Sequence, residues 1–172
     1  GDDVIIFENG EKIECFNFLR QQSKKSKNNL CLSDYISPIK DYIGAFVCTA
    51  GLEIEKQLEI FEKDLDDYNS ILLKSLADRL AEALTEYMHE KVRKEIWGYA
   101  SDEKFENDEL IKEKYHGIRP APGYTACPDH TEKLKVFKLL NAEKIGVSLT
   151  ESMAMYPNAT VSGYYFSHPE SK

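Results

Sequence analysis

The backbone around Arg119 is the part of this sequence best suited to bind a small molecule. Three prolines between positions 120 and 128 each fix φ and push the preceding residue into an extended conformation. Ala121 stands between two of them, so its N–H and C=O are predicted to stay available to a ligand. Gly123 permits close approach to the backbone, and the Arg119 guanidinium matches the geometry of a carboxylate. A stiff loop of this kind loses little entropy on binding.

The same loop also fits a second interpretation. A proline-rich segment can be a rigid connector in which Arg119 forms an ordinary salt bridge. The residue types alone do not separate a ligand site from such a connector. No nucleophile is paired with a base, so no catalytic residue is predicted. His130 lies near Cys127, but two residues do not make a zinc site, and no metal ligands are predicted.

The elements that must hold this loop begin with a β-hairpin. Asn9-Gly10 between Val4–Phe7 and Ile13–Phe18 is a strong hairpin signal, because both turn residues tolerate a positive φ. The polar, lysine-rich stretch Gln21–Asn29 is predicted to be an exposed loop. The apolar stretch Tyr42–Thr49 is rich in β-formers, so we expect a central strand buried on both faces.

Two helices are predicted next. The first covers about Leu52–Lys63, and a much longer one covers about Asp67–Trp97, where Gly98 ends it. The long helix carries apolar residues at steps of three and four, which indicates the face that packs against the sheet. These residues are Leu73, Leu76, Leu80, Leu84 and Tyr87.

Short elements surround the Arg119 loop. A helix over about Asn107–Tyr115 is predicted to take Gly117 as its C-terminal cap. Beyond the loop, Asp129 is placed to cap a helix over about His130–Asn141, with Glu132 completing a capping box.

Two strands close the chain, near Val147–Thr150 and Val161–Ser167. Strands and helices do not alternate regularly, which argues against a doubly wound α/β sheet. The prediction is an α+β fold, in which a twisted, largely antiparallel sheet is packed with helices. At 172 residues the chain suits a single domain, residues 1–172.

Composition narrows the class of protein further. The formal net charge is −8, with Lys+Arg 22 against Asp+Glu 30, which argues against nucleic acid or an anionic membrane surface as a partner. The longest apolar stretch, Tyr42–Leu52, is too short to span a bilayer. The four cysteines show no C-x-x-C spacing, so we expect reduced thiols in a cytoplasmic protein.

Long stretches of the sequence resemble the activation domain of cobalamin-dependent methionine synthase. The loop that begins at Arg119 is similar to the family's signature R-P-A-P-G-Y-x-A-C-P-[DE]-H-T-E-K. Further similar stretches are Asp41–Phe46, Leu76–Ala83 with Trp97-Gly98-Tyr99 beyond it, and Val161–Pro169. The resemblance covers essentially the whole chain in the right order, and its motifs are far longer than a generic glycine motif.

The resemblance implies a site for S-adenosylmethionine. Arg119 would bind the carboxylate of the ligand, Ala121 would contribute backbone contacts and Gly123 would let the ligand approach. Tyr124 would lie where the site faces the cobalamin. The ligand would serve to methylate an oxidised cobalamin back into use, as one function of a methyltransferase that makes methionine.

Two acidic residues, Glu82 and Glu113, match positions near the ligand of this family. The ammonium and sulfonium groups of S-adenosylmethionine would favour carboxylates there. Periodicity alone suggests something else for Glu82, because it falls opposite the leucine stripe, on a face that looks solvated. The other members of that face are Ser75, Asp78, Glu86, His89 and Arg93. Both interpretations of Glu82 stand at this point.

The resemblance also implies partners. Cobalamin would be bound by a neighbouring domain, zinc would belong to the full enzyme but not to this chain, and flavodoxin or a flavoprotein reductase would donate the electron. The basic loop Lys24–Lys27 could attract such a donor, or it could simply be solvated.

The family's module extends further at both ends, with an Asp upstream and a Tyr-containing strand downstream. We therefore expect this chain to be a fragment of the domain that is inactive alone. Two alternatives remain. A docking or capping module for the cobalamin domain would have lost ligand binding. A self-contained methyltransferase would carry a glycine-rich loop after the first strand, and this sequence has none.

Overall fold

The chain begins with the expected hairpin. In this computed structural model, which describes residues 1–22 and 28–171, strands β1 (Asp3–Glu8) and β2 (Glu11–Asn17) pair antiparallel. Asn9 and Gly10 have φ values of 52° and 88°, the left-handed pair that a tight hairpin turn requires. The hairpin prediction is confirmed. Most of the predicted lysine-rich loop, residues 23–27, lies outside the described residues, so the expectation for Lys24–Lys27 stays a prediction.

A second antiparallel pair forms the centre of the molecule. Strand β3 (Gly44–Thr49) runs beside β6 (Thr160–Tyr165), with Gly44 opposite Tyr165 and Thr49 opposite Thr160. A third, small pair joins β4 (Ser148–Leu149) to β5 (Met155–Tyr156). Every named pair in the described part of the chain is antiparallel, and helices pack on them. The predicted α+β class is thus confirmed.

One face of the β3–β6 pair packs on aromatic and aliphatic side chains from the hairpin and a late helix. Phe16 and Phe18 of the hairpin segment contact the ring of Tyr164 edge to face, with centroids 5.0 and 5.2 Å apart. Helix α4 (Glu132–Leu140) adds the fully buried Val136 to the same cluster. Because successive strand residues point to opposite faces, the neighbour of Tyr164, Tyr165, points the other way.

The opposite face of β3–β6 is covered by the long helix. Helix α1 (Ile54–Lys63) leads into α2 (Asp67–Lys91), which continues through a π-helical turn at Val92–Ile96. The backbone N–H of Gly98 donates to the Val92 carbonyl, and Gly98 has a φ of 75°. The long helix and its end at Gly98 were therefore predicted correctly.

The face by which α2 packs was predicted wrongly. Leu76, Leu80 and Leu84 are 52%, 62% and 38% exposed. The buried positions are the residues one step later, among them Ala77 and Ala81, with Ser70, Thr85 and His89 on the same side. One residue turns a helix by about 100°, so the helix is rotated by that angle from the expectation. Small side chains let α2 approach the strands closely, which leaves no room for leucine beneath it.

The predictions for the short elements around the Arg119 loop are correct only in part. Helix α3 (Asn107–Ile111) is shorter than predicted, and Gly117 is not its cap. Helix α4 begins at Glu132 with Thr131 as its N-cap, so Asp129 is not the cap; it accepts the backbone N–H of Thr131, at 2.8 Å, in the turn before the helix. Glu132 does not complete the capping box, because its buried carboxylate accepts the N–H of Asn17 instead. Glu132 thus ties α4 to the hairpin.

The outer edge of β3 is open. Among the described residues β3 pairs only with β6, so it is an edge strand, although we expected a central one. A groove of 620 Å³ follows this edge. Its walls are apolar, with Met88, Val92 and Ile96 from the α2 side and Leu140 and Ile145 from the α4 side. None of the helices in the described ranges is long and apolar enough to cross a membrane.

Candidate functional site

The Arg119 segment is held against the other edge of the central strand pair. Ile118 forms a bridge with Phe166, through hydrogen bonds of 3.0 and 3.1 Å, and the Pro120 carbonyl accepts the Tyr164 N–H at 2.9 Å. Residues 118–120 therefore lie alongside the end of β6 as a short extended segment. Ile118 packs into the hairpin-side core, so the alternation of an extended chain directs Arg119 towards α2.

A glycine on β6 makes this close approach possible. A Cβ placed on Gly163 would lie 2.5 Å from the carbonyl oxygen of Pro120, a distance that real side chains do not show. Gly163 therefore has to be glycine for the loop to sit where it does. Gly123, at φ +103°, has a different constraint, since a Cβ there would collide with the ring of His130.

Arg119 ends in a cluster of polar side chains from α2 and from the segment after α3. Its Nη2 lies 2.7 Å from Oε2 of Glu86, and its Nη1 donates to the hydroxyl of Tyr115. The same Nη1 is 3.4 Å from Nδ1 of His89. A guanidinium is always a donor, so Nδ1 accepts and the imidazole proton belongs on Nε2.

The cluster favours a charged Arg119 and a neutral His89. Burial lowers the pKa of Arg119, but Tyr115, Glu86 and Glu113 together outweigh burial, and the net shift is upward. Burial, with Arg93 and Arg119 beside it, lowers the pKa of His89 to about 3. At neutral pH, His89 therefore acts as a fixed hydrogen-bond acceptor for Arg119.

A buried ion pair supports the cluster from behind. Arg93 is fully buried and its Nη2 lies 2.7 Å from Oε1 of Glu103. The guanidinium carbon of Arg93 is 3.8 Å from the ring centroid of Tyr115, which is close enough for a cation–π contact. His89 stacks on Tyr165 with ring centroids 5.2 Å apart. These contacts hold the side chains of Tyr115 and His89 in place independently of Arg119.

The tip of the loop carries the other predicted contacts. The backbone of Ala121 has no hydrogen bond among the described residues, which matches the expectation that it stays available. The N–H of Gly123 donates to the Cys127 carbonyl at 2.8 Å, and the N–H of Cys127 donates to the Tyr124 carbonyl at 2.9 Å. This closed turn leaves Tyr124 71% exposed at the surface.

The structure places the two predicted acids differently with respect to Arg119. Glu113, at φ 50° just after α3, is close enough to raise the pKa of Arg119. Glu82 is exposed on α2, one turn before Glu86, and it lines a polar cavity of 320 Å³. In the described part of the chain Glu82 forms no hydrogen bond or ion pair with Arg119. Whether Glu82 contacts a ligand stays a prediction.

Sequence reasoning missed three members of the cluster: Glu86, His89 and Tyr115. Glu86 and His89 had been assigned, with Arg93, to a solvated face of the long helix, but His89 and Arg93 are fully buried. The signal that was available is the polar stripe itself. A face that combines an acid, a histidine and an arginine can satisfy its own charges, and it can therefore be buried.

No group of three or more His, Cys, Asp or Glu side chains that could hold a metal ion occurs within residues 1–22 and 28–171. Cys127, beside His130 in the sequence, is 1% exposed, and burial raises the pKa of its thiol to about 12. The thiol is therefore protonated at neutral pH, and a thiol in that state is a poor ligand for zinc.

Fold and site together define an α+β domain that holds a stiff arginine loop against an antiparallel strand pair. The model of one family, described as "Vitamin B12 dependent methionine synthase, activation domain", matches residues 1–172. The chain therefore belongs to the activation-domain family of vitamin B12-dependent methionine synthase.

A solved structure is similar over the whole chain. It is described as the crystal structure of the MetH reactivation domain bound to AdoHcy. It shares 54% sequence identity with this chain, has a TM-score of 0.94 and matches 100% of it. This chain spans 56% of the length of that one.

Proposed function

We propose that this chain binds S-adenosylmethionine at the Arg119 loop and serves the reactivation of methionine synthase. The observation that carries the proposal is the fixed Arg119, whose guanidinium is supported on one side by Glu86 and Tyr115. The family supports the proposal, and so does the similar structure, which is described as bound to AdoHcy. AdoHcy is S-adenosylhomocysteine, which is what S-adenosylmethionine becomes when it gives up its methyl group.

Each predicted residue has a chemical task in this proposal. Arg119 binds the carboxylate of the ligand, and the unbonded backbone of Ala121 supplies a donor and an acceptor. Gly123 keeps the turn narrow, so that the ligand can approach. The carboxylates of Glu82 and Glu113 favour the positive ammonium and sulfonium groups.

No side chain of this chain acts as an acid or a base in the proposed reaction. When bound by a neighbouring part of the enzyme, cobalamin supplies the metal that is reduced by one electron and takes the methyl group. The work of this chain is to position the sulfonium methyl, with the exposed Tyr124 at the surface that faces the cobalamin domain. The electron donor in this proposal is flavodoxin or a flavoprotein reductase, and zinc belongs elsewhere in the enzyme. The reaction takes place in the cytoplasm, as part of methionine synthesis.

We further propose that these 172 residues are part of a larger activation domain. The similar structure is longer, since this chain spans 56% of it. The open edge of β3 and the exposed leucine stripe of α2 are apolar surfaces of the kind that a domain normally covers. Further walls of the ligand site, an upstream Asp and a downstream Tyr, belong to the missing portion.

The test is a calorimetric titration of the full natural polypeptide that carries this sequence. Arg119→Ala should weaken S-adenosylmethionine binding by about 1.5–3 kcal/mol, the usual worth of a charge-assisted hydrogen bond. Turnover with methyl-folate and homocysteine should barely change. Arg20→Ala is the control, because Arg20 also pairs with acids, Asp2 and Asp34, and has no hydrogen bond or ion pair with the Arg119 cluster among the described residues. If the wild-type polypeptide does not bind the ligand at all, the proposed function is wrong and the docking alternative is favoured.

A further inference from the structure

We propose that Glu86 and Tyr115 are positioning residues, which hold the Arg119 guanidinium in the orientation that receives the carboxylate of the ligand. This inference rests on the proposed function, because it requires Arg119 to bind that carboxylate. It goes further by assigning a role to two residues that do not themselves touch the ligand.

The contacts leave one edge of Arg119 free. Oε2 of Glu86 lies 2.7 Å from Nη2 of Arg119. The hydroxyl of Tyr115 accepts from Nη1 of Arg119 and donates to the same Glu86 oxygen over 3.4 Å. A guanidinium carries five N–H groups, and these contacts use only some of them. Nε of Arg119 has no hydrogen-bond partner in the described ranges of the chain. An incoming carboxylate can therefore bind without displacing Glu86 or Tyr115.

The ring of Tyr115 is held in place by contacts that do not involve Glu86. Its ring lies against the guanidinium of Arg93, which is itself paired with Glu103. His89 meets the same ring edge to face, with centroids 5.1 Å apart. A side chain that is locked by such support can orient its neighbour with little loss of entropy when the ligand binds.

Stability alone does not account for the arrangement. The Arg119 and Glu86 side chains are only 21% and 27% exposed, so the attraction between them is offset in part by the hydration that both groups lose. The second oxygen of Glu86, Oε1, is buried and has no hydrogen-bond partner among the described residues, which is a cost to the fold. An unpartnered buried oxygen indicates that a requirement other than packing keeps Glu86 in this place.

The test compares Glu86→Gln with Glu90→Gln in the full natural polypeptide. Glu90 is one turn further along α2 and pairs with Lys94 at 3.1 Å, with both side chains 33% exposed. The control therefore loses a similar ion pair without touching Arg119. Each variant is titrated with S-adenosylmethionine and with its decarboxylated analogue, which lacks only the carboxylate.

We expect Glu86→Gln to weaken S-adenosylmethionine binding by at least about fivefold and to leave the analogue within about twofold. Tyr115→Phe, which removes only the hydroxyl, should give the same selective loss. If thermal melting shows that Glu86→Gln is unfolded, Tyr115→Phe tests the inference in its place. Combined with Arg119→Ala, Glu86→Gln should cause no further loss, because the group that it positions is gone.

The outcomes separate this inference from the proposed function. If Arg119→Ala weakens binding but Glu86→Gln behaves like Glu90→Gln, the positioning role is overturned and the proposed function stands. The positioning role is also overturned if Glu86→Gln lowers the affinity for both ligands equally. It is overturned as well if Glu86→Gln strengthens binding, because Glu86 would then compete with the ligand for Arg119. If Arg119→Ala leaves the titration unchanged, the proposed function fails and this inference fails with it.

Discussion

Replacing Gly163 with alanine should move the Arg119 loop. The added Cβ would lie 2.5 Å from the Pro120 oxygen and 3.0 Å from Cε1 of Phe46. Ordinary contact begins at 3.4 Å, so the Pro120 oxygen would have to withdraw by about 0.9 Å. That oxygen accepts the N–H of Tyr164 at 2.9 Å, and the same movement would break this hydrogen bond. The substitution therefore displaces the residue next to Arg119 without touching Arg119 itself.

The magnitude follows from three contributions. Overpacking costs about 1–3 kcal/mol, the lost hydrogen bond about 0.5–1.5 kcal/mol, and alanine regains about 0.5–1 kcal/mol over glycine in a strand. We therefore expect Gly163→Ala to lower the free energy of unfolding by about 0.5–4 kcal/mol, as measured by urea denaturation. S-adenosylmethionine affinity should fall at least tenfold, since this needs only about 1.4 kcal/mol.

Gly10→Ala is the matched control for Gly163→Ala. Gly10 has a φ of +88° in the hairpin turn, and a Cβ there would meet nothing within 4 Å. This variant should lose stability through backbone strain but keep its affinity for the ligand. Unchanged stability and unchanged affinity in Gly163→Ala would refute the argument that Pro120 and Gly163 fix the loop. Equal loss of affinity in both variants would show that binding follows overall stability instead.

Three further predictions concern the long helix and the extent of the chain. The pKa of His89 is about 3 in the folded chain, whereas a histidine in the unfolded chain has a pKa of ~6.5. Between these two values the unfolded chain binds a proton that the folded chain does not bind. The free energy of unfolding therefore decreases as the pH falls from ~6.5 towards 3. Denaturation at pH 7 and about 4.5 should show that the difference in stability between wild type and His89→Gln is smaller at the lower pH. An equal difference at both pH values would contradict this pH dependence. Leu80→Ser should change the stability of the 172-residue chain by less than about 0.5 kcal/mol, whereas Ala81→Leu should cost about 1–3 kcal/mol. The reverse order would mean that the helix packs by its leucines. The isolated chain should bind S-adenosylmethionine poorly, and a longer polypeptide with both flanks should bind it at least tenfold more tightly, a gain of about 1.4 kcal/mol. Equal calorimetric affinities would mean that the pocket is complete within these residues.

Local signals in the sequence were sufficient for most of the fold. Asn9-Gly10 predicts the hairpin because the turn geometry depends only on those two residues. The orientation of α2 was not predictable in the same way. Hydrophobic periodicity favoured Leu76 and Leu80, but the contact with the strands is made by Ala77 and Ala81. How closely a helix approaches a sheet is decided by side-chain volume at the interface, and periodicity does not contain that information.

The residues of the candidate site were likewise predictable from the sequence only in part. Arg119 and Ala121 were identified because prolines act on their immediate neighbours, and this effect is visible in the sequence. The supporting residues Glu86 and Tyr115 are 33 and 4 positions away from Arg119 along the chain. Their role depends on the pairing of residues 118–120 with β6, which brings Arg119 to the flank of α2. The contact with Glu86 therefore follows from the assembled fold rather than from any local pattern.

The open edge of β3 has a consequence for how this chain behaves in solution. An edge strand presents unpaired backbone donors and acceptors, and here the apolar groove beside it would stabilise whatever strand pairs with them. A second molecule of the same chain offers an equally exposed β3. Self-association through this edge therefore competes with the monomeric state, and it does so more strongly as the protein is concentrated. The isolated 172-residue chain should therefore stay soluble for longer when it is dilute.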